Sequence, residues 1–305
     1  MPYIKYVAKD FRPETLALIE QVNAIIAEYR GQGYWLTLRQ LYYQFVARGL
    51  LANTQRNYKR LGGILSDARL AGLVDWDAIE DRTRNLDALP TWQSPASIIE
   101  ACAEQFRQDL WADQETRVEV WVEKEALAGV VGQIAHRHRV DCMACRGYMS
   151  QSEMWDAATR RFSQYQVADQ DVLVLHLGDH DPSGIDMTRD IGTRLDLFAR
   201  ERVTVSRLAL NMDQVLEWNP PPNPAKATDS RYGAYAVEFG DECWELDALE
   251  PATLDNLISR AVDAVRDVDK WKASEEREAE ARNRLQGVAE FWPDVIGLVD
   301  SRIGD

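Results

Sequence analysis

No stretch of this 305-residue sequence stays apolar for the roughly 20 residues a bilayer crossing demands. Its opening, MPYIKYVAKDFRPE, meets charge within five residues and lacks a secretory apolar core. A cytoplasmic protein is expected. Cysteine is scarce: Cys102, Cys142, Cys145 and Cys243 are too few and too scattered for a disulfide framework, which fits free thiols in a reducing compartment. Basic charge is also short, with 35 Lys and Arg against 50 Asp and Glu and a net charge of −15. That balance argues against a protein that coats nucleic acid without selectivity, because phosphate binding draws on clustered Lys and Arg. No G-x-x-x-x-G-K-[ST] occurs, so ATP hydrolysis by this chain is not expected. No internal repeat is present.

What is there is enough apolar content, 46%, to bury more than one core, and two domains are expected, residues 1–110 and 111–305. Charge segregates by region. Between Arg30 and Arg69 seven basic residues face a single acid, Asp67. Residues 13–30 place Leu16, Ile19, Val22, Ile25 and Ile26 at helical spacing after Pro13. Thr37 with Gln40 forms the pattern of a capping box opening a second helix that runs to about Arg48. A third helix spans about 54–70 and carries Arg56, Lys59 and Arg60, candidate DNA contacts. Two short helices with a tight break resemble a helix-turn-helix, and residues 73–85 are placed to supply the wing of a winged helix.

Composition breaks at LPTWQSP, residues 89–95. Beyond it, the runs RVEVWVE, VDCMACRG and DVLVLHLGD read as strands alternating with helices, which predicts an α/β domain with a parallel sheet. The stretch WNPPPNPAKATDSRYG is too rich in proline for regular structure, and Lys226 and Arg231 within it are further, weaker candidates for DNA contact. The end of the chain reads as helical, with ASEEREAEARNRL a charged, exposed helix.

Candidate chemistry falls in two places. On a helical wheel of the second helix, Leu38, Leu41, Tyr42, Phe45 and Val46 gather as core, and Arg39 and Tyr43 stand together beside them. A guanidinium next to a phenol suits a nucleophile for phosphorus, since a phenol with pKa near 10 needs help to react at neutral pH. Glu123 ends one strand, and Asp179 and Asp181 follow another. In adjacent parallel strands those ends lie side by side, where open α/β sheets bind ligands. Asp179 and Asp181 in extended chain point the same way, and three converging carboxylates call for a hard divalent cation such as Mg²⁺. The four potential ligands in HRHRVDCMAC, His136, His138, Cys142 and Cys145, fit zinc poorly, because Cys142 and Cys145 face opposite sides of a strand.

LTLRQLYYQF resembles the tyrosine-bearing winged-helix segment of the A subunit of type IIB topoisomerases (topoisomerase VI) and of the related meiotic double-strand-break proteins. VEVWVEKEAL, RGYMS and LGDHDPSGIDM resemble the Toprim domain that follows it there, and WELDALEPATLDNLI resembles the family's closing segment. The likeness covers most of the chain in the right order, and the nearest form is the shortened stand-alone "Mini-A" protein of prokaryotic mobile elements. It implies a winged-helix domain followed by a Toprim α/β domain with C-terminal helices. It also implies Tyr43 as nucleophile, Arg39 as its phosphate-binding neighbour, and Glu123, Asp179 and Asp181 as the Mg²⁺ site. The implied reaction is attack by the tyrosine on double-stranded DNA, leaving a 5′ phosphate on the protein. The implied assembly is a homodimer whose site takes its tyrosine from one protomer and its metal from the other. The region before the winged helix, which helps bind the ATPase B subunit in topoisomerase VI, is short here, and that puts an ATPase partner in doubt. Two other readings stay open: a Toprim nuclease using metal-activated water, and a DNA-binding module without catalysis.

Overall fold

A computed structural model describes residues 3–79, 89, 91–199 and 202–303. In chain order its elements are α1 (Pro13–Gly31), α2 (Leu38–Ala47), α3 (Gln55–Leu70), α4 (Pro95–Gln105), β1 (Thr116–Val122), α5 (Ala128–Arg137), β2 (Asp141–Ala144), α6 (Gln151–Asp156), α7 (Ser163–Val167), β3 (Asp171–Leu177), α8 (Pro182–Ala199), β4 (Val203–Ala209), α9 (Met212–Trp218), β5 (Asn223–Pro224), α10 (Tyr232–Phe239), β6 (Glu242–Cys243), α11 (Pro251–Asp263), α12 (Val268–Glu290) and α13 (Trp292–Ile303). The chain forms two compact units, Met1–Thr83 with Arg117–Ala264, and Arg84–Thr116 with Val265–Asp305. The N-terminal helices and the sheet therefore share one unit. Among the described residues no helix is long and apolar enough to cross a membrane.

The first three helices arise as their sequence patterns require. Ile19, Val22, Ile25, Ile26 and Tyr29 form the buried stripe of α1. The Thr37 side chain accepts from the Gln40 amide, and the Gln40 side chain accepts from the Thr37 amide at 2.9 Å, so two orphan donors at the start of α2 are satisfied. Thr54 caps α3 by accepting from the Asn57 amide at 3.2 Å. Of the stretch read as a wing, residues 80–85 lie outside the described residues. The described part makes a 3-10 turn at Trp76–Ala78 and one parallel bridge between Leu36 and Ile79.

Four parallel strands form the sheet in the order β2-β1-β3-β4. Val118, Val120, Trp121 and Val122 of β1 are all buried, as befits a central strand covered on both faces. Trp121, Val174, Phe162, Met154, Ile191 and Leu195 form one contiguous core against the sheet. The helical stretch between β2 and β3 is interrupted by a π-helical turn, Ala157–Phe162, and Arg161 in it lies 2.7 Å from the buried Glu119 of β1. The proline-rich stretch, expected to lack regular structure, contributes β5, which pairs antiparallel with β6 (Asn223 opposite Cys243, Pro224 opposite Glu242). A two-residue edge strand tolerates the missing proline N–H.

In the second unit α4 packs along α12, and Trp111 meets Trp271 edge to face at 5.4 Å. The charged helix α12 is not exposed throughout, as its composition suggested. Ser274 and Glu278 are buried, and Glu278 accepts from the Gln108 amide at 2.8 Å and pairs with Arg282 at 2.8 Å. One carboxylate thereby satisfies a backbone donor and a cation from the same covered position.

Candidate active site

The site is built where β1 and β3 end next to each other, with the Glu123 amide donating to Leu177 O at 2.8 Å. The Glu123 carboxylate then accepts from the Asp179 amide at 2.9 Å. Two glycines permit this approach. A β-carbon at Gly178 would stand 2.9 Å from Glu123 Oε2, and one at Gly184 would stand 2.3 Å from Asp179 O and 3.1 Å from Glu123 Oε2. Arg207 of β4 ties the same loop from within, donating to Asp179 O at 2.6 Å, Gly178 O at 3.2 Å, Gly184 O at 2.9 Å and Thr188 Oγ1 at 2.8 Å.

Asp179 and Asp181 take different partners. Between them His180 forms an antiparallel bridge with Trp244 (N–H to O at 2.8 and 3.0 Å), and the chain turns into α8. Asp181 Oδ1 accepts from Ser183 Oγ at 2.9 Å and from the Gly184 amide at 2.6 Å, capping the first turn of that helix. Asp179 Oδ1 accepts from the Leu246 amide at 2.8 Å, and its Oδ2 pairs with Lys124 Nζ at 2.7 Å.

Lys124 opens onto a second set of charges. Its ammonium lies 2.9 Å from Glu245 Oε2 and 3.1 Å from Asp247 Oδ1. Both acids also hold Arg39: the guanidinium donates through Nε to Asp247 and through Nη2 to Glu245. The 3-10 turn Leu246–Ala248, packed on α2, carries Asp247 to this position, and the His180–Trp244 bridge fixes the chain leading into it. Arg39 Cζ stands 5.7 Å from the centre of the Tyr43 ring, as i and i+4 neighbours on α2 should. Tyr43 itself is buried, only 5% exposed. Arg39, Tyr43, Lys124, Glu245, Asp247 and Asp179 are thus linked through one chain of contacts, which reaches Glu123 and Asp181 through the loop after β3.

Burial raises the Tyr43 phenol above its ordinary range, and the negative charges of Asp247 and Glu245 raise it further against the pull of Arg39. Burial also works against the charged form of Lys124, but Asp179, Asp247 and Glu245 outweigh it and hold the ammonium protonated. Glu245 would rise through burial, yet Lys124 and Arg39 bring it down to about 2. Glu123 is raised, first by burial and then by the charge of Asp181. Asp179 is raised by burial as well, with Lys124 opposing.

Five carboxyl groups, from Glu123, Asp179, Asp181, Glu245 and Asp247, thus gather with three basic side chains, Arg39, Lys124 and Arg207, a formal excess of acids over bases. Glu123 Oε1 and Asp181 Oδ2 make no hydrogen bond among the described residues, whereas both oxygens of Asp179 are engaged. Among the described residues no group of three or more His, Cys, Asp or Glu is arranged to hold a metal ion. Glu123 and Asp181 are the residues of this site whose unengaged oxygens could take a hard cation; Mg²⁺ keeps several waters and is commonly held by one or two carboxylates.

Arg56, Lys59 and Arg60 lie exposed on α3. Lys226 is exposed, and Arg231 pairs with Asp186 at 2.8 Å and Asp229 at 3.2 Å. Sequence reasoning missed Lys124, Glu245, Asp247 and Arg207. The first three left a faint signal, a lysine directly after Glu123 and alternating acids in WELDAL; Arg207 left one as the lone charge in VTVSRLAL. The chain matches no protein-family model, no curated protein and no solved structure.

Proposed function

We propose that this chain is a Mg²⁺-dependent, topoisomerase VI A-like enzyme that cleaves double-stranded DNA by tyrosine transesterification. In this reading the helices α1–α3 belong to a winged-helix domain and the four-stranded sheet is a Toprim domain. Tyr43 Oη attacks a backbone phosphorus, the bond from phosphorus to the 3′ oxygen breaks, and the 5′ phosphate stays on the tyrosine while the 3′ hydroxyl leaves with the proton. The observation that carries the proposal is the double engagement of Glu245 and Asp247. They join Arg39, beside Tyr43, to Lys124, beside Glu123, so one compact unit links the tyrosine face of α2 to the carboxylates of the sheet.

Arg39 is positioned to neutralise a phosphate oxygen once it exchanges its carboxylate partners for DNA. Glu123 and Asp181 would hold Mg²⁺, whose contribution when bound is Lewis-acid stabilisation of charge on the phosphate. The exposed Arg56, Lys59 and Arg60 would carry duplex backbone contacts. The homodimer that the resemblance implies takes its tyrosine from one protomer and its metal from the other, whereas Arg39, beside Tyr43, and Lys124, beside Glu123, share Glu245 and Asp247 within one chain; on this reading each protomer carries its own centre, one for each strand.

The test is incubation with supercoiled plasmid and Mg²⁺, with and without ATP, followed by denaturant trapping. Protein-linked 5′ ends are expected from the wild type and none from Tyr43→Phe. Cleavage that survives in Tyr43→Phe would sink the transesterase in favour of hydrolysis by metal-activated water. The burial of the phenol favours that second reading, since a tyrosine so covered must be uncovered before it can attack.

A further inference from the structure

We infer that the Lys124 ammonium is a built-in cation filling the position a second divalent ion would take, so that the centre binds one such ion rather than two. The inference rests on the reading of Glu123 and Asp181 as cation ligands. Nζ lies 2.7 Å from Asp179 Oδ2, 2.9 Å from Glu245 Oε2 and 3.1 Å from Asp247 Oδ1. An ammonium has three N–H donors, and here each finds a carboxylate. These acids come from two separate places, the loop after β3 and the segment that follows β6, which the His180–Trp244 bridge joins, and the ammonium lies where they meet.

The spacing suits nitrogen and not metal. Oxygens at hydrogen-bond distance from Nζ stand well outside the roughly 2.0–2.1 Å that Mg²⁺ demands, and they cannot close on an ion while the ammonium is present. Asp179 is committed by the same arrangement. One of its oxygens faces Lys124 and the other accepts from the Leu246 amide, which leaves it no free oxygen to share with an ion at Glu123 and Asp181. Lys124 adjoins Glu123 in the chain, so this positive charge is tethered to the centre and no chelator removes it. Lys124 is therefore a positioning residue that sets the metal stoichiometry.

The experiment counts Mn²⁺ bound per full-length chain by equilibrium dialysis at saturating Mn²⁺. One ion is expected for the wild type and for Lys124→Arg, and two for Lys124→Gln and Lys124→Met, where three carboxylates lose their ammonium. Two ions on the wild type, or no gain in either neutral variant, would overturn the inference. Should the neutral variants fail to fold by circular dichroism, the wild type decides together with Asp179→Asn and Asp181→Asn. Retention of the single ion in the first and its loss in the second support the inference, and its loss in Asp179→Asn overturns it. A wild type that binds no ion beside a Lys124→Gln that binds one would keep the role of Lys124 and remove that of Glu123 and Asp181. One ion on both would do the reverse.

Discussion

Tyr42 and Tyr43 meet edge to face with ring centroids 5.6 Å apart, and their hydroxyls face different surroundings. Tyr42 Oη accepts from the Thr54 amide at 2.7 Å and donates within the turn before α3, with Thr54 O at 3.0 Å. Tyr43 lies against the Arg39–Glu245–Asp247 network. Tyr42→Phe is expected to lower stability by about 1–2 kcal/mol, since it strands a backbone donor, and to leave adduct formation in place. Tyr43→Phe is expected to abolish adducts with a smaller change in the urea midpoint. Adducts that vanish in Tyr42→Phe and persist in Tyr43→Phe would mean the wrong tyrosine has been assigned.

The glycines around Glu123 provide a second test. Gly184→Ala would force its new carbon onto Asp179 O, a backbone atom that cannot swing away, and a loss of about 1–3 kcal/mol is expected from overpacking. Gly63→Ala, in the exposed middle of α3 with nothing within 4 Å, is expected to stabilise by about 0.5–1 kcal/mol through helix propensity. Chemical denaturation of both variants checks the pair, and equal effects would mean that the chain around Gly184 yields to a β-carbon without cost.

These positions show which parts of the molecule were open to sequence reasoning. The first three helices were readable because local chemistry specifies them: Pro13 opens α1, and Thr37 and Thr54 cap α2 and α3. β1 and β3 were readable as apolar runs. β4 was not, because Thr204, Ser206 and Arg207 break the apolar pattern of a strand whose flank is only half covered. Glu123, Asp179 and Asp181 could be placed near one another from strand order, but their separate hydrogen bonds could not. Those depend on the turn at His180 and on the Leu246 amide, contributed by a segment far along the chain. Lys124 looked like any strand-end lysine until that segment supplied its acids.

The Glu119–Arg161 pair lends itself to a double-mutant cycle. Glu119 is 1% exposed, accepts from Trp121 Nε1 at 2.8 Å, and has its carboxyl pushed up by burial while Arg161 pulls it down. Removing either partner alone leaves the other charge stranded, at a cost of about 2–4 kcal/mol, moderated because Arg161 is partly in water. Glu119→Met with Arg161→Met is expected to recover most of that loss. Strictly additive single and double values in urea titrations would show that the two charges do not depend on each other.

His176 makes stability depend on pH. It is fully buried with Nδ1 2.8 Å from Thr188 Oγ1, and burial followed by the charge of Arg207 brings its pKa down from 6.5 to about 3. The unfolded chain therefore binds the proton more readily, so this contribution is complete above about pH 6.5 and is lost progressively as pH falls towards 3. Urea midpoints should decline between pH 7 and pH 5 in the wild type and decline less in His176→Asn. An identical slope in the two proteins would remove His176 as the cause.

Triple reversal at Arg56, Lys59 and Arg60 to Glu is expected to weaken duplex binding and to reduce the slope of log affinity against log salt by up to about 3, since each lost phosphate contact releases about one counterion fewer. Fluorescence anisotropy over a salt series measures it. An unchanged slope would place the duplex elsewhere on the protein.

The division of the chain also sets an order in time. The second unit draws α4 from residues 84–116 and its partner α12 from residues 265–305, with the whole sheet encoded between them. During synthesis α4 leaves the ribosome long before α12 exists, and it must wait with its apolar side uncovered while the sheet folds. The sheet, by contrast, has every strand it needs once Ala209 has emerged.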